Sequence, residues 1–134
     1  MIRELAADDR AATVALWEAC GLTRPWNPPD ADFDRAVAGP TSSVLGQFDA
    51  DALVATAMVG HDGHRGWVYY VAVAPDRQAT GLGRSIMTAA EHWLRAAGAV
   101  KVQLMVRHTN PQAKSFYETL GYEDADVTVL ARWL

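Results

Sequence analysis

The chain has 134 residues, half of them apolar and 21% charged, with sixteen acidic against twelve basic side chains and a net charge of −4. At about 100–200 residues per domain this is one domain, 1–134, and its composition excludes a disordered tail, a collagen-like repeat, a coiled coil and, through its acidic balance, a nucleic-acid partner. No apolar run reaches the roughly 18 residues of a membrane span, MIRELAADDR has no signal-like apolar core, and the single Cys20 cannot pair within the chain, so a cytoplasmic protein without a membrane partner is expected.

Met1–Ala6 reads as a short strand, and Asp8 as the N-cap of a helix that carries Val14, Leu16, Trp17 and Cys20 and stops at Gly21. The following TRPWNPPDAD holds three prolines, which forbid a ladder or a helix interior. A second helix sets Phe33 and Val37 at i, i+4 and closes at Gly39. Ser43–Phe48 and Ala52–Gly60 read as an antiparallel hairpin across Asp49-Ala50-Asp51. HDGHRG is the next turn, and Trp67–Ala74 is a strand whose continuous apolar character predicts burial on both faces.

From Gly81 to Ala97 the pattern is helical, with Ile86, Ala90, Trp93, Leu94 and Ala97 on one face and Gly98 beyond the end. Val100, Val102, Leu104 and Val106 alternate with polar residues as a strand, reached by a right-handed crossover. Asn110-Pro111 starts a last helix that sets Ala113, Phe116 and Leu120 on one face and ends at Gly121. The tail Tyr122–Leu134 alternates Val127, Val129, Ala131 and Trp133 and is expected to return to the sheet. The predicted fold is α/β, in the order β-α-α-β-β-β-α-β-α-β, with helices packed on a mixed sheet.

The most specific feature is Arg77-Gln78-Ala79-Thr80-Gly81-Leu82-Gly83-Arg84, between a central strand and a helix. Glycines there allow a tight turn and leave the first helix amides unobstructed, an arrangement suited to phosphate, with Arg77 and Arg84 adding positive charge. Without further context the same string is an ordinary glycine-rich turn. A Walker loop is excluded because no Gly-Lys-Ser/Thr follows, and a dinucleotide fingerprint fails because Ile86 stands at its third glycine.

What does match is Gln-x-x-Gly-x-Gly, with Val73-Ala74-Pro75 just before it. Further on stand Asn110, Ala113, Phe116-Tyr117 and Gly121-Tyr122 on the last helix. In these two motifs and in its element order the chain resembles the GNAT superfamily of N-acetyltransferases. Within that superfamily LTRPWNPP, GHDGHRGWVYY and YEDADV resemble the YpeA-like bacterial branch. The resemblance implies transfer of an acetyl group from acetyl-coenzyme A to a primary amine by direct attack in a ternary complex, with no metal. It implies that Gln78, Ala79, Thr80, Gly81, Gly83 and Arg84 cradle the pyrophosphate. Val71 and Val73 would bond the pantetheine arm, Asn110 would lie close to it, and Tyr117 would sit beside the sulfur.

Such a reaction needs a neutral amine, a stabilised oxyanion and a protonated leaving thiolate. A lysine-like amine is only about 0.1% neutral at neutral pH, a cost of roughly 4 kcal/mol, against roughly 1 kcal/mol for an N-terminal amine. A backbone N–H near Val71 suits the oxyanion, and the Tyr117 phenol, protonated at neutral pH, is the candidate general acid. Trp67 through Val73 offers no carboxylate as a base, where many relatives place a glutamate. Either a water chain serves or the base comes from the HDGH turn, with His64 first, Asp62 and His61 as alternatives and Tyr69 as a proton relay. His61-x-x-His64 with Asp62 has no third clustered ligand, so no metal is expected.

Trp26, Asp62 and His64 are the candidate contacts to the acceptor, in a pocket between the Thr23–Pro29 loop and the HDGHRG turn. Asp30, Asp32 and Asp34 are expected to cap the second helix instead. The acceptor itself, a small molecule or a peptide or protein amine, is not specified. Two other readings stand beside the enzyme: a non-catalytic acyl-coenzyme A sensor on the same fold, and a phosphate-metabolite binder using only the Gln78–Arg84 loop. Monomer and homodimer are both open, with Trp133 on the terminal strand as the edge candidate.

Overall fold

The computed structural model describes residues 1–134, which fall into two compact units, Met1–Leu104 and Met105–Leu134. In the first unit, β1 (Ile2–Glu4) is followed by a short 3₁₀ turn (Ala7–Asp9), α1 (Arg10–Ala19) and α2 (Pro29–Ala38). Then come β2 (Ser42–Asp49), β3 (Ala52–His61), β4 (Gly66–Val73), a second 3₁₀ turn (Pro75–Arg77), α3 (Leu82–Ala96) and β5 (Val102–Leu104). The five strands form one sheet in sequence order, antiparallel throughout except for the parallel β4–β5 pair made by the α3 crossover.

Strand alternation divides the core in two. Val44 joins Leu5, Val14, Leu16, Trp17, Phe33, Ala36 and Ala72 in a buried cluster under α1 and α2. Its neighbour Leu45 lies with Ala89 and Trp93 of α3. α3 buries Ile86, Met87, Ala90 and Leu94, the i, i+4, i+8 stripe expected of a helix laid on a sheet. Arg10 pairs with Asp34 at 2.9 Å and with Asp30 at 3.9 Å, tying α1 to α2 across their exposed faces.

The glycine stops at Gly21, Gly98 and Gly121 are left-handed, with φ of 70°, 98° and 93°. At each, the amides of the glycine and the next residue turn back onto the last helical carbonyls, as in Ala99 to Leu94 and Gly98 to Arg95. Gly39 differs: it ends α2 in extended backbone at φ −69°, the conformation that Pro40 imposes on the residue before it.

The structure corrects the sequence reading at several points. α1 begins one residue later than expected, because Asp9, not Asp8, stands at its N-cap while its carboxylate takes the Ala6 amide and the Arg3 guanidinium. β5 covers only Val102–Leu104, with Val100 left 86% exposed. β4 is not buried on both faces, since Tyr69 opens to solvent.

In the second unit, α4 (Pro111–Thr119) starts at Asn110, whose side chain accepts the Ala113 amide at 3.1 Å. The expected last strand is absent, so the order ends β-α. The Asp124 carboxylate accepts the Asp126 amide, and Asp126 sits at φ 55°, a local turn that interrupts the extended run. Beyond it Val127, Val129 and Trp133 alternate as expected, yet all are exposed, so the pattern buries no face.

Candidate active site

β4 breaks its own ladder. Thr56 pairs with Ala72 and Met58 with Tyr69, so Tyr70 and Val71 together oppose Ala57, a bulge. Tyr70 is left-handed at φ 51°, rare for an aromatic residue, and the surroundings hold it there. Its ring stacks on Trp17, with centroids 3.8 Å apart and planes 13° off parallel. Its carbonyl accepts the Thr56 hydroxyl at 3.1 Å, and that hydroxyl accepts the Trp17 indole N–H at 3.0 Å. Both Trp17 and Thr56 are fully buried, so this chain of bonds has no competing water.

The Tyr70 hydroxyl donates to Asp32 Oδ2 at 2.7 Å and accepts Asn27 Nδ2 at 3.2 Å. Burial, reinforced by the Asp32 carboxylate, pushes this phenol well above the ordinary range, so it stays protonated. Asn27, Asp32, Arg35, Met58, Tyr69 and Tyr70 surround a cleft of about 410 Å³ beside the bulge. The sequence reading missed Tyr70 and Asn27 here and assigned Asp32 to a helix cap. Asp32 instead takes Tyr70 and Arg35, and α2 has no side-chain cap at all.

β5 pairs with β4 only at Gly66, Trp67 and Val68. Tyr69–Val73 therefore has a ladder neighbour only on its β3 side, leaving one edge of the strand, Val71 and Val73 included, without a β partner. The Val73 carbonyl accepts the Cys20 thiol at 3.2 Å and Gln78 Nε2 at 3.4 Å.

After β4 and the 3₁₀ turn Pro75–Arg77 comes the glycine-rich loop. Ala79 and Gly81 are both left-handed, at φ 62° and 88°, and Gly81 is the N-cap of α3. The first intrahelical bond runs from Ser85 to Gly81, so the amides of Leu82, Gly83 and Arg84 have no helical acceptor. A Cβ on Gly81 would meet nothing within 4 Å, so the residue is needed for its backbone angle and not for clearance. The Thr80 hydroxyl caps the Arg77 carbonyl. Arg77 is committed to Asp49 at 2.6 Å, while Arg84 stands exposed in the first turn of α3. Successive free amides at a helix N-terminus fit a pyrophosphate, and the unpaired strand edge beside them fits an amide-bearing arm.

The HDGHRG turn is placed elsewhere, at the far end of the β3–β4 hairpin. Gly66 and Tyr70 are four residues apart, roughly 13 Å of strand. Asp62 accepts the amides of Arg65 at 2.7 Å and His64 at 2.8 Å, which hold its carboxyl below the usual range. His64 is exposed, its Nδ1 3.5 Å from Arg65 Nη1. Trp67 and Tyr69 stack between this turn and the cleft, their rings 6.2 Å apart. Burial, and secondarily the Asp62 charge, raises the Tyr69 phenol. Trp26 is 60% exposed and does not line the cleft; Asn27 beside it does.

In the second unit Tyr117 meets Phe116 and Tyr122 edge-on, at 5.1 and 6.0 Å between centroids. Burial pushes its phenol up to about 12. Asn110 spends its side-chain oxygen on capping α4 and retains its amide donors.

An open-edged, bulged strand, a glycine loop and a helix N-terminus thus present free backbone amides along one stretch of chain. Residues 4–122 match the acetyltransferase (GNAT) family, and the chain belongs to it. It is 37% identical to an acetyltransferase of Pectobacterium atrosepticum, over 99% of this chain and 94% of that one. Among solved structures, the ribosomal-protein-S18-alanine N-acetyltransferase of Escherichia coli is 25% identical, with a TM-score of 0.81 and coverage of 93% of this chain and 78% of that one. An aminoglycoside N-acetyltransferase in complex with coenzyme A shares the fold at 13% identity, with a TM-score of 0.85 over 99% and 93% of the two chains. Family and relatives favour the acetyltransferase over the non-catalytic sensor and over the phosphate-metabolite binder. No helix is long and apolar enough to cross a membrane.

Proposed function

We propose that this acetyltransferase, of the YpeA-like branch, moves an acetyl group from acetyl-coenzyme A to a primary amine by direct attack within a ternary complex. The observation that carries the reading is the Tyr70–Val71 bulge on the open edge of β4, linked by a 3₁₀ turn and the glycine loop to the amide-rich start of α3. When bound, acetyl-coenzyme A supplies an activated acyl carbon as a thioester.

Everything else falls to the chain. The backbone of Gln78, Ala79, Thr80, Gly81, Gly83 and Arg84 donates to the pyrophosphate, and the Arg84 guanidinium adds charge. Val71 and Val73 bond the pantetheine arm as an added strand, and the family motif gives Asn110 its place close to that arm. The Val71 N–H, at the bulge, is the donor to the negative charge that develops on the acyl oxygen. Tyr117 is the proton donor to the departing sulfur: burial raises its pKa, so it remains a phenol across the working range. The amine enters by the cleft at Tyr69 and Tyr70, and its proton leaves by Tyr69 and water; the HDGH turn is too far along the hairpin for His64 to take it directly.

Calorimetric titration with acetyl-coenzyme A, coenzyme A and ADP, on the wild type and on Gly83→Trp, tests this reading. Saturable binding of acetyl-coenzyme A, weaker for ADP and lost in the variant, is the expected result. Equal affinity for ADP and coenzyme A would replace it with a phosphate-metabolite site, and no binding at all would end it.

A further inference from the structure

The cleft beside the bulge states a preference about the acceptor, an inference that rests on the acetyl-transfer reading above. Each oxygen of its one carboxylate already has a donor. Asp32 Oδ2 takes the Tyr70 hydroxyl at 2.7 Å, and Oδ1 takes Arg35 Nη2 at 2.5 Å. The Tyr70 oxygen is spent in turn, donating to Asp32 and accepting from Asn27. Ser42, also on the wall, gives its hydroxyl to the Ala36 carbonyl at 2.8 Å. The other two acids of the same helix, Asp30 and Asp34, are paired with Arg10. With one donor already on each oxygen, the Asp32 carboxylate keeps fewer free acceptor sites than an unpaired one for a second cation.

Arg35 is in the opposite position. A guanidinium carries five N–H donors, and Arg35 commits one of them, to Asp32. Its side chain is 71% exposed at the rim of a cleft of about 410 Å³. The wall thus offers unspent guanidinium donors and no unpaired carboxylate, with the Tyr69 hydroxyl and the Asn27 side-chain oxygen as further polar groups near the bulge. We infer that the acceptor is a small primary amine that itself carries a carboxylate, an amino-acid-type molecule whose carboxylate is held by Arg35 while its amine reaches the β4 bulge. A polycationic acceptor is disfavoured by the same count, because it would need several carboxylates where this wall has one, already paired with Arg35.

The test is a steady-state comparison of free L-amino acids, the corresponding carboxamides and spermidine as acceptors, with wild type, Arg35→Gln and Arg35→Lys. Free amino acids are expected to exceed their amides in kcat/KM by about ten- to a hundred-fold, the size of a charge-assisted bond. Arg35→Gln abolishes that difference by raising KM for the free amino acids to the level of their carboxamides, and Arg35→Lys restores part of it. Amides or spermidine turned over as well as the amino acids, or a preference that survives Arg35→Gln, would overturn the inference while leaving acetyl transfer intact. Absence of turnover for every amine would count against the transfer reading itself and take this inference with it.

Discussion

Seven residues lie between Asp62 and Tyr70, yet the two carboxylate-centred clusters they belong to use their carboxylates differently. At the HDGHRG turn Asp62 takes the amides of His64 and Arg65, two and three residues away. At the cleft Asp32 takes the Tyr70 hydroxyl, 38 residues away, and that tyrosine is in turn fixed by Trp17 and Thr56 from two further elements. The first cluster is exposed and closes on itself, shaping a turn. The second is half-buried and joins α1, α2, β3 and β4 around a strand that is out of register. Polar residues become a site where distant elements must agree on their placement, and local pairing of the same residue types yields only a turn.

Tyr70→Ala should break the contrast most severely. Losing the ring that covers Trp17 is expected to cost about 3 kcal/mol in urea denaturation. Release of the bulge should lower kcat/KM roughly a hundred-fold. Unchanged activity in a folded Tyr70→Ala protein would mean that the bulge is held by something else. Thr56→Val keeps the volume but strands the Trp17 N–H in the core, a loss of about 1–3 kcal/mol by the same measurement. A neutral result there would show that the indole finds another acceptor.

The alkaline limb sharpens the comparison further. The fold raises the phenols of Tyr70 and Tyr117 above their unfolded value of about 10, so it favours their protonated forms. Stability from this source is whole below about pH 10 and is lost as pH rises through about 12. Melting temperature against pH should therefore fall over that window, and less steeply in the Tyr70→Phe, Tyr117→Phe double variant. The smallest effect is expected at the other cluster: His64→Ala should leave kcat/KM within about threefold of wild type, as for an exposed substitution away from the chemistry. A drop of ten-fold or more would bring the turn back as the source of the base.

Which features were legible in the sequence follows the same division between local and distant. Helix ends at Gly21, Gly98 and Gly121 could be read because the residue that needs a left-handed φ is the signal itself. The glycine loop was legible for the same reason, and two motifs on successive elements carried the family. Tyr70 was hidden inside WVYYVAVA, where an apolar strand and a bulged cleft wall have the same composition. Asp32 was hidden because its partner lies in another element, and an aspartate in a first turn has a local role ready to hand. The tail misled in the opposite direction: alternation of Val127, Val129, Ala131 and Trp133 is compatible with a strand but does not supply a surface to cover, and Asp124 and Asp126 turn the chain before it starts.

Cys20 is the chain's only cysteine, and its thiol donates to the Val73 carbonyl at 3.2 Å, on the strand proposed to receive the pantetheine arm. Burial raises its pKa, so it stays an S–H group at neutral pH. The sulfhydryl stretch falls in a window of the infrared spectrum where proteins otherwise absorb little. The molecule thus carries its own vibrational reporter beside that strand, and a shift of this one band on ligand addition would register occupancy without a label or a substitution.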